Sequence, residues 1–250
     1  GQIATLLTGM GYKQTGMLET ADLIIVNTCT IRAKAEQKAF SFLGRLASLK
    51  LKKPELIIGV GGCVAQQEGD HIFKRVPHVD LVFGTQAIGR LPLVIAKIVE
   101  KRCRIVDVGL TELPDLTDRP PGRPYSDSVS SFVTIMRGCD NFCTYCIVPS
   151  VRGRAISRPL EEVLENIRRV VDNGFKEIVI TGVNIGRYES GKYNLEGALE
   201  KIVELPGDFR VRISSMEPDG FGPEFHKTFR HPKMTPHLHL CIQSGSDPIL

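Results

Sequence analysis

Three cysteines, Cys139, Cys143 and Cys146, stand in a CxxxCxxC spacing inside the stretch SFVTIMRGCDNFCTYCIVPSVRGRAISRP. Scattered core cysteines do not cluster so tightly, and three thiolates are one short of closing a tetrahedral metal site. The donor set suits a 4Fe-4S cluster, which normally takes four cysteines; held by three, it keeps one iron open to an outside ligand. An open iron is a place for chemistry. Zinc is the alternative, with a fourth ligand from Cys103, Cys241 or a histidine, but the second closely spaced cysteine pair of most zinc modules is absent.

The loop needs a platform. The apolar, β-branched run FVTIM at 132–136 reads as a strand, so the cysteines fall just past a strand's carboxyl end, where α/β folds place their ligands. Downstream, Pro159 stands at a helix first position, with Glu161 and Glu162 in the first turn. Leu160, Val163, Leu164, Ile167, Val170 and Val171 form one apolar stripe that ends at Asn173-Gly174. A buried strand at 176–181 runs into Gly182-Val183-Asn184. A helix at 195–205, a strand at 209–215 ending near Glu217, and a strand at 238–242 ending in Gln243-Ser244 follow. Strand, loop and helix in repetition describe an incomplete (β/α) barrel, with Asn184, Ser214, Ser215, Glu217, Gln243 and Ser244 facing the mouth that holds the cysteine loop. His237 and His239 are expected to be structural, and Cys103 and Cys241 to be packing residues.

The first half alternates in the same way. Apolar strands are expected at 22–27, 56–60, 80–83 and 104–108, with helices at 33–50, 66–75 and 91–101, a doubly wound parallel sheet. Cys29 and Cys63 each follow a strand's end, and such ends share one sheet edge, so the two can meet. Two thiolates are too few for a cluster, and Cys103 precedes a strand at the opposite edge; two inert buried cysteines fit as well. GVGG at 59–62 lacks the third glycine of a dinucleotide fingerprint, since Val64 stands there. Its glycines are expected to let the backbone approach whatever Cys63 holds.

Residues 113–131 are dense in Pro, Ser, Asp and Gly and read as an exposed connection. The expected division is therefore an amino-terminal domain at 1–112, a linker at 113–128 and a barrel domain at 129–250. With 42% apolar and 24% charged residues the composition is that of a soluble globular protein. No apolar run reaches the roughly 18 residues of a membrane span, and no secretory signal layout opens the chain. Seven cysteines, an odd count without disulfide-framework spacing, favour a reducing, cytoplasmic setting and metal ligation. A net charge of +4 does not by itself identify nucleic acid. Arg137, Arg152, Arg154 and Arg158 bracket the cysteine loop as a modest cationic rim suited to a phosphate-bearing partner, though ordinary surface arginines explain them equally. The start at Gly1 and the stop after a turn signal are expected of a fragment cut at both ends.

RGCDNFCTYCIVP, followed by RGR and SRP, closely resembles the radical S-adenosylmethionine (SAM) enzymes, specifically the methylthiotransferase family. NTCTIRAKAEQKAFSFLGRL, GVGGCVAQQEG and VDLVFGTQ resemble its MiaB type, which acts on tRNA. The resemblance spans essentially the whole chain. It implies two 4Fe-4S clusters: one on Cys139, Cys143 and Cys146 whose open iron chelates SAM, and an auxiliary one on Cys29, Cys63 and a further cysteine that this sequence lacks. It also implies tRNA as substrate, an electron donor such as flavodoxin or ferredoxin, no membrane partner and a monomer. Tyr145 would pack on the adenine of SAM, and Asn184, Glu217, Gln243 and Ser244 would hold its polar groups. The expected reaction adds a methylthio group to carbon 2 of N6-isopentenyl-adenosine at position 37, beside the anticodon. KEIVITGVNIGRY and RISSMEP look instead like relatives acting on threonylcarbamoyl-adenosine, while a ribosomal-protein aspartate fits less well. A non-enzymatic iron-sulfur or zinc protein that binds RNA is the rival class.

Overall fold

The computed structural model describes residues 2–30, 33–110, 129–218, 221–246 and 248. The chain divides into two compact units, residues 1–115 with 142–152, and residues 116–141 with 153–250. The connection expected over 113–128 lies outside the described residues.

The first unit carries α1 (Gln2–Gly9), β1 (Leu23–Thr28), α2 (Ala33–Lys52), β2 (Ile57–Gly62), α3 (Cys63–Glu68), α4 (His71–Arg75), β3 (Leu81–Phe83), α5 (Leu91–Lys101) and β4 (Ile105–Asp107). The strands form one parallel sheet in the order β1-β2-β3-β4. Leu43 and Leu46 of α2, Ala65 of α3 and Ile72 of α4 cover Ile58, Val60 and Val82 on one face. On the other face Leu91, Ile95 and Ile98 of α5, with Ile3 and Leu7 of α1, cover Ile57, Leu81 and Phe83. A sheet buried on both sides needs apolar residues at successive positions, which is why its strands read as continuous runs and not as alternation.

Two details differ from the sequence expectation. The helix expected at 66–75 is broken into α3 and α4 at Gly69, whose φ of +53° is left-handed and cannot continue an α-helix. Helix α1 was not anticipated, although Ile3, Leu6 and Leu7 carry helical spacing.

The second unit contains β5 (Ser130–Thr134), β6 (Met136–Arg137), β7 (Ile156–Ser157), α7 (Leu160–Asp172), β8 (Glu177–Thr181), β9 (Glu189–Ser190), β10 (Tyr193–Asn194), α8 (Leu195–Val203), β11 (Arg210–Ile213), β12 (Ser215–Met216) and β13 (His239–Leu240); α6 (Val148–Arg152) groups with the first unit. Strands β5, β8 and β11 lie parallel in the order β11-β8-β5, and β12 pairs in parallel with β13. Strand order following chain order, each strand parallel to the last, is the arrangement of the incomplete (β/α) barrel. Val133, Ile178, Ile180, Val211 and Ile213 bury one face under Val163, Ile167 and Val170 of α7 and Leu195, Leu199 and Ile202 of α8. Each such side chain contributes about 1.5–3 kcal/mol of burial free energy. Phe132, Thr134, Val179, Thr181, Arg212 and Ser214 have the opposite parity and line the other face.

Pro159 is the N-cap of α7, one position before the first helical residue, because its ψ of 134° is extended. The strand expected at 238–242 shrinks to His239–Leu240, and both His237 and His239 are exposed. Among the described residues no helix is long and apolar enough to cross a membrane.

Candidate metal and cofactor centre

The cysteine loop is tied at its base by a short ladder that sequence reasoning missed. After β5 the chain turns at Ile135 into β6, which pairs antiparallel with β7 through Met136↔Ser157 and Arg137↔Ile156. Gly138 follows with φ +69°, and a Cβ there would collide with the carbonyl of Arg154, so only glycine lets the two loop ends cross this closely. The Cys139 amide donates to the Gly153 carbonyl at 3.2 Å. Asp140 accepts from the Ala155 amide at 3.1 Å and pairs with Arg154 Nε at 2.8 Å.

Cys139 itself is buried, and its Sγ accepts from the Asn141 amide at 3.4 Å. Cys143 and Cys146 are half-buried and bracket a tight turn in which the Cys146 amide donates to the Cys143 carbonyl at 2.9 Å. Helix α6 then begins at Val148, an element hidden in sequence by Pro149 inside its first turn and Gly153 just after its end. None of the seven cysteines is in a disulfide.

Beside Cys139 lies a cavity of about 450 Å³, bounded by Met136, Asp140, Asn141, Ser157, Asn184, Arg187 and Glu189. Asn184 follows β8 and is 3% exposed, yet neither its Oδ1 nor its Nδ2 has a hydrogen-bond partner. A buried amide with both ends unpaired costs about 1–3 kcal/mol per group, so the position is held for a polar ligand that pairs with it. Tyr188 backs the same turn: its hydroxyl donates to the Arg158 carbonyl at 2.8 Å, and burial raises its pKa, keeping it a neutral donor.

Of the other residues singled out in sequence, Tyr145 is exposed on the cysteine loop. Glu217 and Gln243 follow the carboxyl ends of the paired strands β12 and β13, as their barrel placement requires, but neither they nor Ser244 bounds the cavity beside Cys139. Arg187 and Glu189, which do bound it, were overlooked; the signal was a polar run, NIGRYES, directly after a strand. Cys241 donates its amide to the Met216 carbonyl at 3.0 Å and, like Cys103, is half-buried.

In the first unit, register brings the strand-end cysteines to neighbouring places. Thr28 pairs with Gly62, and Cys29 and Cys63 are the residues immediately after them. Cys29 is exposed; Cys63 is buried at the first position of α3. The Thr28 hydroxyl donates to the Gly61 carbonyl at 2.6 Å and accepts from the Ala65 amide at 3.4 Å, locking this edge. Close neighbours require the glycines here. A Cβ on Gly61 would enter the Phe83 ring, and a Cβ on Gly62, at φ +96°, would strike the Thr28 carbonyl. Both glycines make room for neighbouring chain. Among the described residues no three His, Cys, Asp or Glu side chains are grouped closely enough to hold an ion as they stand.

Residues 1–84 match the family described as uncharacterized protein family UPF0004, and residues 133–250 match the radical SAM superfamily. A protein of Desulfosudis oleivorans named tRNA-2-methylthio-N(6)-dimethylallyladenosine synthase is 46% identical over 252 residues, covering 100% of this chain and 54% of that protein. Proteins of the same name from Geotalea uraniireducens and Geobacter sulfurreducens are 43% and 42% identical, each covering 100% of this chain and 57% and 56% of their own length. The chain thus spans a little over half the length of these relatives. In fold it is similar to the radical S-adenosylmethionine methyltransferase TsrM from Kitasatospora setae (TM-score 0.61, 14% identity, 95% of this chain and 50% of that one). It is also similar to the cobalamin-dependent S-adenosylmethionine radical enzyme OxsB (TM-score 0.63, 14% identity, 99% and 38%). Radical SAM proteins work with SAM and a 4Fe-4S cluster, and a loop of three cysteines with the unpaired Asn184 amide beside Cys139 is chemically suited to both. Two family matches in this order on one chain, with relatives aligned across its whole length, make it a member of the radical SAM methylthiotransferase family.

Proposed function

We propose that this protein adds a methylthio group to carbon 2 of N6-isopentenyl-adenosine at position 37 of tRNA, working in the cytoplasm. The observation that carries the reading is the buried, unpaired Asn184 beside Cys139, on a loop of three cysteines past the first barrel strand. The names of the relatives support the choice of the isopentenyl (dimethylallyl) nucleoside over the threonylcarbamoyl one, against the local likeness of KEIVITGVNIGRY to enzymes of the second kind.

Cys139, Cys143 and Cys146 would hold the 4Fe-4S cluster, and Cys29 and Cys63, with a further cysteine from outside this sequence, an auxiliary one. Together with SAM, the first cluster supplies one-electron chemistry able to activate an aromatic C–H bond that no side-chain base can usefully deprotonate. The chain's own work is positioning. Asn184 pairs its amide with the polar groups of SAM, and Arg187 and Glu189 offer opposite charges to the same ligand's carboxylate and ammonium. Tyr145 packs on its adenine, while Glu217, Gln243 and Ser244, at the later strand ends and outside that cavity, hold the polar groups that extend beyond it. An external donor such as flavodoxin or ferredoxin provides electrons to a monomer.

The test is nucleoside mass spectrometry on tRNA from cells with and without the gene. Loss of methylthio-isopentenyl-adenosine on deletion, with restoration by the gene but not by a Cys139→Ala copy, is the expected result. An unchanged level of that nucleoside, or loss of the threonylcarbamoyl derivative in its place, rejects the assignment.

A further inference from the structure

Helix α2 has a surface that neither the core nor the cysteine edge uses. Its inward residues, Leu43 and Leu46, are buried against the sheet. On the opposite side Lys34, Lys38, Arg45 and Lys52 recur at intervals of four, seven and seven residues, all within one narrow arc at 100° per residue. All four are exposed. The residues between them on that arc, Gln37 and Ser41 among them, are uncharged, and with Lys34, Lys38 and Arg45 they border a shallow groove of about 500 Å³.

The arc contains no carboxylate. Glu36, the single acidic residue of α2, sits on the far side and pairs with Arg75 at 3.5 Å. The helix's other cation, Lys50, is taken by Asp80 at 2.8 Å. Arg45 lies over the Phe42 ring, 5.5 Å from its centroid, and its side chain is exposed. A solvated helix face ordinarily intersperses acids with bases at three- and four-residue spacing. Here 28 acidic residues in the chain contribute none to a stripe that runs about 27 Å from Lys34 to Lys52.

We infer that this stripe grips the phosphate backbone of the RNA substrate, with the four cations meeting successive phosphates and the amide and hydroxyl groups between them donating to phosphate oxygens. The inference rests on the tRNA reading above and assigns it a surface. Contacts of this kind carry no sequence information; they set affinity and register, and they leave a signature in salt dependence.

The experiment uses the whole reconstituted protein and its variant Lys38→Glu/Arg45→Glu/Lys52→Glu, with Lys38→Gln/Arg45→Gln/Lys52→Gln as a milder version should charge reversal disturb the helix. Unmodified tRNA is the probe, and affinity is measured as a function of salt. Reversal is expected to weaken binding roughly tenfold to a hundredfold at about 0.1 M salt, and the glutamine version to flatten the slope of log affinity against log salt by about 2–3. SAM cleavage without tRNA should be unchanged. Wild-type affinity and slope in both variants overturn the inference while leaving the proposed reaction standing. Unchanged tRNA binding with slower reduction by an acidic electron-transfer protein overturns it too, and gives the stripe to that protein. A wild type that binds no tRNA removes the reading and the inference together.

Discussion

The two cysteine-bearing regions solve one problem in opposite ways. In the second unit a strand ends, a two-residue ladder closes behind it, and the loop beyond Gly138 carries Cys139 beside a cavity with an unpaired amide. In the first unit Cys29 and Cys63 come to neighbouring places through strand register, on an edge tied by the Thr28 hydroxyl and by close approaches at Gly61 and Gly62. One region leaves a buried amide unpaired beside a cavity; the other is held by a hydroxyl that bridges its two strand ends. A pocket with unmet hydrogen bonds marks where a small ligand enters, whereas the sheet edge offers two neighbouring cysteines, one exposed and one buried.

That contrast is most easily broken by removing ligands. Cys139→Ala should abolish reductive SAM cleavage, by a factor of about a thousand or more in 5′-deoxyadenosine formation, if catalysis depends wholly on the bound cofactor. Cys63→Ala should leave that cleavage within about twofold while eliminating the methylthio product. Equal loss of cleavage in both variants would erase the distinction between the regions.

Next in size are the glycines. Gly62→Ala forces a side chain into the left-handed region and into the Thr28 carbonyl, and should destabilise the first unit by about 2–4 kcal/mol, read as a lowered Tm. Gly138→Ala meets the same kind of obstruction at the Arg154 carbonyl, but at the neck of a loop. Its expected effect is lost iron retention with a smaller change in Tm. The reverse pattern would show that the loop's neck supports the fold and not the site.

Asn184→Leu sharpens the comparison further, because it separates stability from binding. Replacing a buried, unpaired amide by an apolar group should raise the stability of the ligand-free protein by about 1 kcal/mol. SAM binding should weaken roughly tenfold, since one or two charge-assisted bonds are gone. A destabilised apoprotein would mean that Asn184 has a structural partner. Smallest is Asp140→Asn: its pair with Arg154 is largely exposed, so stability should change by no more than about 1 kcal/mol.

Much of this architecture was legible in the sequence because it depends on local patterns. Strands buried on both faces announce themselves as LIIV and IVIT runs, and the stripe of α7 recurs at helical spacing. Cys29 and Cys63 could be placed on one edge because parallel strands share their carboxyl ends. What was not legible depends on tertiary approach. The β6–β7 ladder is two residues long and sits between glycines, too short for any periodicity. The purpose of Gly61 and Gly62 lay in the Phe83 ring and the Thr28 carbonyl, which the sequence does not bring near. Arg187 and Glu189 gave only a polar run after a strand, and their place beside Cys139 emerges once β8 and the loop are set against each other.

The central claim is that Cys139, Cys143 and Cys146 hold a cluster with one iron open to SAM beside Asn184. It is tested most directly on a Cys29→Ala/Cys63→Ala variant, reconstituted without oxygen and reduced, by recording its electron paramagnetic resonance spectrum with and without SAM. A single 4Fe-4S signal that shifts on addition of SAM, and shifts only at higher SAM concentration once Asn184 is replaced, is the expected result. A signal indifferent to SAM, or a loop that takes up zinc and no cluster, contradicts the account.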